Sequence, residues 1–186
     1  ECGADGCEGT CGSCDDGFNC VNGSCVESGN NECNDGNDIL WDGCTKGEIS
    51  EFRVNTFTPG QQTMPSLATL ANGSWVMVWD SFDQDGDQMG VFGQRFDAVG
   101  KALGEEFQIN SYVAESQASS DVAALSDGGF IVAWHSTGSQ DGSGYGVFGQ
   151  RFDAAGGKVG NELTLNSTTN SHQIDCAVTG LTDGGF

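Results

Sequence analysis

Four aspartates within an eight-residue window carry the densest chemistry in the chain. Asp80 precedes Asp83-Gln84-Asp85-Gly86-Asp87. Calcium takes six to eight oxygens, and alternating aspartates on a glycine-containing loop can supply several of them from one turn. Asp80, Asp83, Asp85 and Asp87 are therefore the expected calcium ligands. No Glu stands where an EF-hand loop would place its twelfth ligand, because Gln94 and Arg95 occupy that region. The alternative is a solvated acidic hairpin loop built on Asx turns. A weaker oxygen-rich candidate is the set Asn34, Asp35, Asn37, Asp38 and Asp42.

Other reactive side chains are sparse. His135 and His172 are the only imidazoles, and neither neighbours a Ser or Cys in a nucleophile motif. Carboxylates are plentiful, but acid–base catalysis needs one acid with a raised pKa in a pocket, so no enzyme is expected. Trp75, Trp79 and Trp134 sit in wholly apolar runs and are expected in the core. Trp41, among acidic residues, is the better aromatic for contacting a ligand such as a sugar. Arg95 and Arg151 recur within Gln-Arg-Phe-Asp, and the reading preferred over ligand binding is a structural bond to Asp97, Asp153 or a strand-end carbonyl.

The elements that position these groups come from a repeat. Gly90-Val-Phe-Gly-Gln-Arg-Phe-Asp-Ala98 returns unchanged as Gly146 to Ala154, and Trp79 returns as Trp134. Thr182-Asp-Gly-Gly-Phe186 matches Ser126-Asp-Gly-Gly-Phe130, so a third copy begins. The period is 55 to 56 residues. Each unit reads as four strands: Phe52 to Asn55 (then Phe107 to Asn110, and Leu163 to Asn166) by alternation, Ser66 to Leu70, Trp75 to Trp79, and Val91 to Phe96. Asn72-Gly73 and Asp127-Gly128 are hairpin signals. The fold class is all-β, with tandem four-stranded repeats like propeller blades, incomplete in number. A β-solenoid and a string of small sandwiches are the alternatives, because two and a half units cannot close a ring of about four to eight blades. The missing strands are expected from a longer chain or from another subunit, the former preferred. An opening Glu-Cys in place of Met and an apolar leader fits a processed or excised product.

The first 50 residues are a different material. They hold Cys2, Cys7, Cys11, Cys14, Cys20, Cys25, Cys33 and Cys44, while Cys176 stands alone in the remainder. Their longest apolar run is Ile39-Leu40-Trp41, too little to offset chain entropy. Disulfides are the expected staple, ahead of zinc or a redox pair at the Cys11–Cys14 spacing, and they imply an oxidising compartment. Eight cysteines allow 105 pairings. The expected organisation is a disulfide-rich module over 1–48 and β repeats over 51–104, 106–160 and, partially, 162–186.

Two resemblances follow from these residues. Glu32-Cys33-Asn34-Asp35-Gly36-Asn37 with Trp41-Asp42-Gly43-Cys44 resembles the Cys-rich repeat of myxobacterial and related secreted proteins. It implies a Cys33–Cys44 bridge, although Gly47-Glu48 stand where that repeat carries another Cys. Gly128-Gly-Phe-Ile-Val-Ala-Trp134 and Asp141 to Ala154 resemble tandem repeats of large secreted or surface-attached bacterial proteins, which often carry adhesin-like or calcium-binding labels. That likeness covers about 135 residues and implies surface attachment or display.

Composition narrows the partners. The chain has 27 acidic and 6 basic residues, a net charge of −21. That disfavours phosphate-neutralising grips on nucleic acid and docking to anionic lipid. No apolar run is long enough for a membrane helix. The sequence therefore leads to an extracellular or cell-surface protein used in adhesion or scaffolding, with a surface or matrix component, a glycan among the candidates, as partner. A carbohydrate-binding module and a self-assembling subunit are the alternatives.

Overall fold

The computed structural model describes residues 52–186 and, before them, the strands β1 (Phe18–Val21) and β2 (Ser24–Glu27). The chain divides into two compact units, Glu1–Glu51 and Phe52–Phe186. In the first, β1 and β2 pair antiparallel, with the Cys20 and Cys25 backbones opposite one another. The other expectations placed there, from Cys2 to Cys44, Trp41 and the Asn34–Asp42 oxygen set, lie outside the described residues.

The second unit is all-β: no helix occurs among the described residues. One antiparallel sheet has the order β3-β4-β5-β6, comprising β3 (Gln62–Thr69), β4 (Trp75–Phe82), β5 (Met89–Phe96) and β6 (Phe107–Gln108). The other has the order β7-β8-β9-β10, comprising β7 (Gln117–Ala124), β8 (Phe130–Ser136), β9 (Gly146–Phe152) and β10 (Lys158–Thr164). Both are meanders in which sequence neighbours pair. This is the blade-like repeat expected from the 55-residue period.

The hairpins form where their residues demand. Gly73, Gly128 and Gly184 take positive φ of 82°, 87° and 91°. In each turn the preceding Asx oxygen accepts an N–H two residues on: Asn72 from Ser74, Asp127 from Gly129 and Asp183 from Gly185, all at 3.0 Å. That local bond replaces a ladder bond and ends the strand.

One expectation is corrected. Phe107-Gln108 and Leu163-Thr164 do not open their units; they pair with β5 and β9 and close the preceding sheets. Phe52 to Asn55 forms no strand. Alternation reveals a half-buried strand but not its partner. The partner is chosen by Asn110 and Asn166, whose Oδ1 atoms accept the Val91 and Val147 N–H groups at 2.9 and 2.7 Å.

The core lies between the sheets. Ala68, Leu70, Val76, Val78 and Val91 of the first sheet meet Val122, Phe130, Val132, Trp134, Phe148 and Phe152 of the second. On the far face of the second sheet, Ala123, Leu125 and Ile131 are covered by Val178 of the third repeat. Strand β8 is thus buried on both faces, as its apolar run requires. Trp79 and Trp134 are core residues, and Trp75 stacks on Phe96 with ring centroids 4.1 Å apart.

Candidate functional site

The invariant nine-residue segment is absorbed by the framework. A Cβ on Gly90 or Gly146 would overlap the carboxylate of Asp85 or Asp141, and one on Gly93 or Gly149 would crowd Ile109 or Leu165. Phe92 and Phe148 are buried. Gln94 Nε2 donates to the Arg95 and Gly104 carbonyls at 2.9 and 3.3 Å. Gln150 Nε2 repeats this toward Arg151 and Val159. Phe96 and Phe152 stack on Trp75 and Phe130. Asp97 Oδ1 accepts from the Val99 and Lys101 N–H groups, and Asp153 Oδ1 from those of Ala155 and Gly157. Ala98 and Ala154 sit against Gly73 and Gly128.

The two arginines are structural too, by different means. Arg95 donates to the Ala154 carbonyl at 2.6 Å and to that of Ala155, fastening the first sheet to the turn after β9. Arg151 instead pairs with Asp127 at 2.7 Å within its own sheet. The Asp127 carboxyl is held below its ordinary pKa first by the Gly129 N–H and then by Arg151.

The four expected calcium ligands do not converge. Asp80 lies inside β4, 2% exposed, and turns toward the second sheet. Its Oδ2 accepts from Ser119 N–H at 2.7 Å, and its Oδ1 from the Ser120 hydroxyl at 3.0 Å. Asp85 Oδ2 accepts from Gln108 and Asn110 side-chain amides at 3.1 and 3.2 Å. Asp87 Oδ2 accepts the Glu115 N–H at 2.8 Å. Asp83 is exposed at a positive φ of 61°. Among the described residues, no group of three or more His, Cys, Asp or Glu could hold a metal ion. Alternating aspartates read as a cation loop because their spacing suits one. Here neighbouring N–H donors claim Asp80, Asp85 and Asp87 in three directions, so the residues do not fit a shared ion.

Asp85 belongs to a clamp that spacing alone did not reveal. Asn110 Nδ2 donates to Asp85, to the Tyr112 carbonyl and to Gln117 Oε1. Asn166 repeats it with Asp141, Thr168 and Gln173. Asn55 keeps the part toward Phe57 and Gln62. The recurrence of Asn and Gln seven residues apart in all three copies was the available signal.

The most chemically varied place is a cleft of about 540 Å³ along the bulges of β3, β7 and the third repeat. Equivalent residues Met64, Ser119 and Asp175 take φ of 52°, 55° and 55°. Such a backbone costs a non-glycine residue about 1–3 kcal/mol. The register shifts there in both sheets, so the strain is a repeated bulge. Ser66 Oγ donates to Asp121 Oδ1 at 2.8 Å, and Val178 N–H to Asp121 Oδ2 at 2.9 Å. The Cys176 thiol lies 3.8 Å from the Ser119 carbonyl. Burial, and then the charges of Asp121, Asp175 and Asp80, push its pKa up to about 11. It is a protonated thiol at neutral pH, not a nucleophile. Burial likewise raises the Asp80 pKa against its hydrogen bonds. His135 is lowered by burial, with Asp175 opposing. It lies parallel to the Tyr145 ring, whose neighbour is His172. The cleft's polar groups mainly join one repeat to the next.

Comparison with protein-family models, curated proteins and solved structures gave no match for the chain.

Proposed function

We propose that the chain is a non-catalytic, secreted or cell-surface repeat protein whose β units form an extracellular scaffold for adhesion or display. One observation carries this reading: all nine residues of the segment shared by the repeats are used for turns, close packing and inter-sheet bonds. Residues retained for a scaffold do this, whereas a repeated ligand site would keep an exposed set as well. The Cys-rich N-terminal segment supports the extracellular placement through the oxidising chemistry its cysteines imply. The partner is a cell-surface or matrix component, with surface glycan as the first class to probe.

Two measurements test the proposal. Intact mass after alkylation without reduction should show the eight N-terminal cysteines unlabelled; eight labelled thiols would remove the extracellular placement. Beads coated with the purified chain should be retained on a cell or glycan surface under flow. Retention equal to that of beads coated with heat-unfolded chain would sink the adhesion reading.

A further inference from the structure

The turn between β3 and β4 joins Asn72 to Gly73, whereas the equivalent turns of the second and third repeats hold Asp127-Gly128 and Asp183-Gly184. The three residues do the same work, since each side-chain oxygen accepts an N–H two residues on at 3.0 Å. Only Asn72 does it with an amide, a side chain that is chemically labile, and most so where the next residue has no side chain to crowd its nitrogen. Asn72 and Gly73 are both exposed. The Ser74 N–H and hydroxyl donate to Asn72 Oδ1 at 3.0 and 2.6 Å. Those donors stabilise negative charge on the oxygen that receives it when a nucleophile adds to Cγ. The Asn72 Nδ2 donates to no acceptor among the described residues, so nothing holds it against departure. Asn110 and Asn166 are the opposite case: each Nδ2 has three acceptors and each Oδ1 holds a strand N–H.

The consequence of losing that amide falls on Arg95. Its counterpart Arg151 pairs with the turn carboxylate of its own sheet, Asp127, at 2.7 Å. Arg95 holds the same register position, opposite Val76 as Arg151 is opposite Ile131. The turns beside them also match: a Cβ on Gly73 or Gly128 would stand 3.6 Å from Ala98 or Ala154. Yet the first sheet offers an amide where the second offers a carboxylate. The Arg95 guanidinium therefore reaches across to the Ala154 and Ala155 carbonyls, and its buried Nε has no partner.

We propose that Asn72 is a site of spontaneous deamidation, and that the aspartate formed there recruits Arg95 as Asp127 holds Arg151, releasing the tie between the first sheet and the turn after β9. The Gly73 nitrogen gives its proton to hydroxide and bonds to Asn72 Cγ. The Cγ–Nδ2 bond then breaks, and Nδ2 takes a proton from water and leaves as ammonia. Water opens the resulting cyclic imide. Opening at Cγ yields aspartate on an unaltered main chain, and opening at the main-chain carbonyl yields isoaspartate. Either product adds one negative charge at the turn, so the modification acts as a charge switch. The Gly73 N–H bond to the Leu70 carbonyl, 2.9 Å, has to be given up first, so the folded chain reacts more slowly than the unfolded one. The inference stands apart from the adhesion reading, because it needs only water and the turn itself.

The site is tested by peptide mapping of the folded chain aged at mildly alkaline pH, beside a urea-unfolded sample. The peptide holding Asn72 should gain about 1 Da as aspartate and isoaspartate, while those holding Asn110 and Asn166 keep their mass. Mapping also separates Asn72 from Asn22-Gly23, the other Asn-Gly pair in the sequence. An Asn72 peptide unchanged in the folded sample when the unfolded one has converted overturns the site. The switch is tested with Asn72→Asp, which should fold because Asp127 and Asp183 already make this turn. The carboxyl at position 72, titrated by NMR, should have a lowered pKa that rises by about half a pH unit when Arg95→Gln is added, the effect of one exposed ion pair. A crystal structure of Asn72→Asp should show Arg95 on the new carboxylate and off the Ala154 and Ala155 carbonyls. A pKa indifferent to Arg95→Gln, or an Arg95 that keeps both carbonyls, overturns the switch.

Discussion

Removing the Asp85 carboxylate separates a structural clamp from a calcium site. In Asp85→Ala, the amides of Gln108 and Asn110 lose an acceptor at 3.1 and 3.2 Å. Both bonds are long, and Asn110 Nδ2 keeps the Tyr112 and Gln117 acceptors. The loss should be about 1–2 kcal/mol. For a folded unit of this size, that lowers Tm by roughly 3–8 °C. Asn110→Ala should cost more, about 3–5 kcal/mol, because it also orphans the buried Val91 N–H. The double variant should fall short of additivity by about 1 kcal/mol, since the two residues share a bond.

The assay is thermal unfolding of the four proteins, each in millimolar calcium and in EDTA. The clamp predicts the same losses in both. A calcium site predicts that wild-type Tm rises with the ion and that Asp85→Ala loses this gain. A loss confined to calcium-containing buffer would refute the clamp, as would an Asp85→Ala protein that melts with wild type.

Three further outcomes follow from the packing and the titrating groups. Gly129→Ala places a Cβ on the Phe152 carbonyl oxygen, so the denaturation midpoint should drop by the equivalent of about 3 kcal/mol. Gly142→Ala meets no atom within 4 Å and should lose only about 1 kcal/mol from its positive φ; equal losses would contradict the assigned contact. The Cys176 thiol, with a pKa near 11, should resist iodoacetamide at pH 8 in the folded protein and react on unfolding; fast labelling of the native state would count against its burial. Burial holds the His135 pKa below its unfolded value of 6.5, so the unfolded chain takes the proton first and stability should fall as pH drops through that value. His135→Gln should flatten this slope between pH 7 and 5.5, and an unchanged slope would clear His135 of the effect.

The all-β class, the period and the hairpins were legible because they rest on local rules. Asn72-Gly73 and Asp127-Gly128 make the turns their chemistry requires, and the Trp-containing runs are central strands. Strand partnership was not legible for Phe107 and Leu163, because period-two alternation is the same whichever sheet a strand joins. The contacts of the carboxylates were not legible for a related reason. Spacing places Asp80, Asp83, Asp85 and Asp87 close in sequence, but strand direction sends Asp80 into the next repeat while Asp85 and Asp87 meet donors from later loops.

Positions that differ between copies explain why near-identical units keep their order. Asp80 and His135 are equivalent, and each faces the bulge of the following repeat. The first sheet presents a buried carboxylate to Ser119 and Ser120, which answer it with donors. The second presents an imidazole close enough to Asp175 to feel its charge. If the third repeat docked on the first sheet, Asp175 would bring a second carboxylate to a buried one whose pKa is already raised by burial. Two like charges in a poorly solvated place repel strongly, and among the described residues no arginine or lysine bonds to Asp80 to relieve them. If the second repeat docked on itself, His135 would meet Ser119 in place of a carboxylate and lose the interaction that opposes its desolvation. The paired differences Asp80/His135 and Ser119/Asp175 together make the native succession of repeats cheaper than the exchanged one.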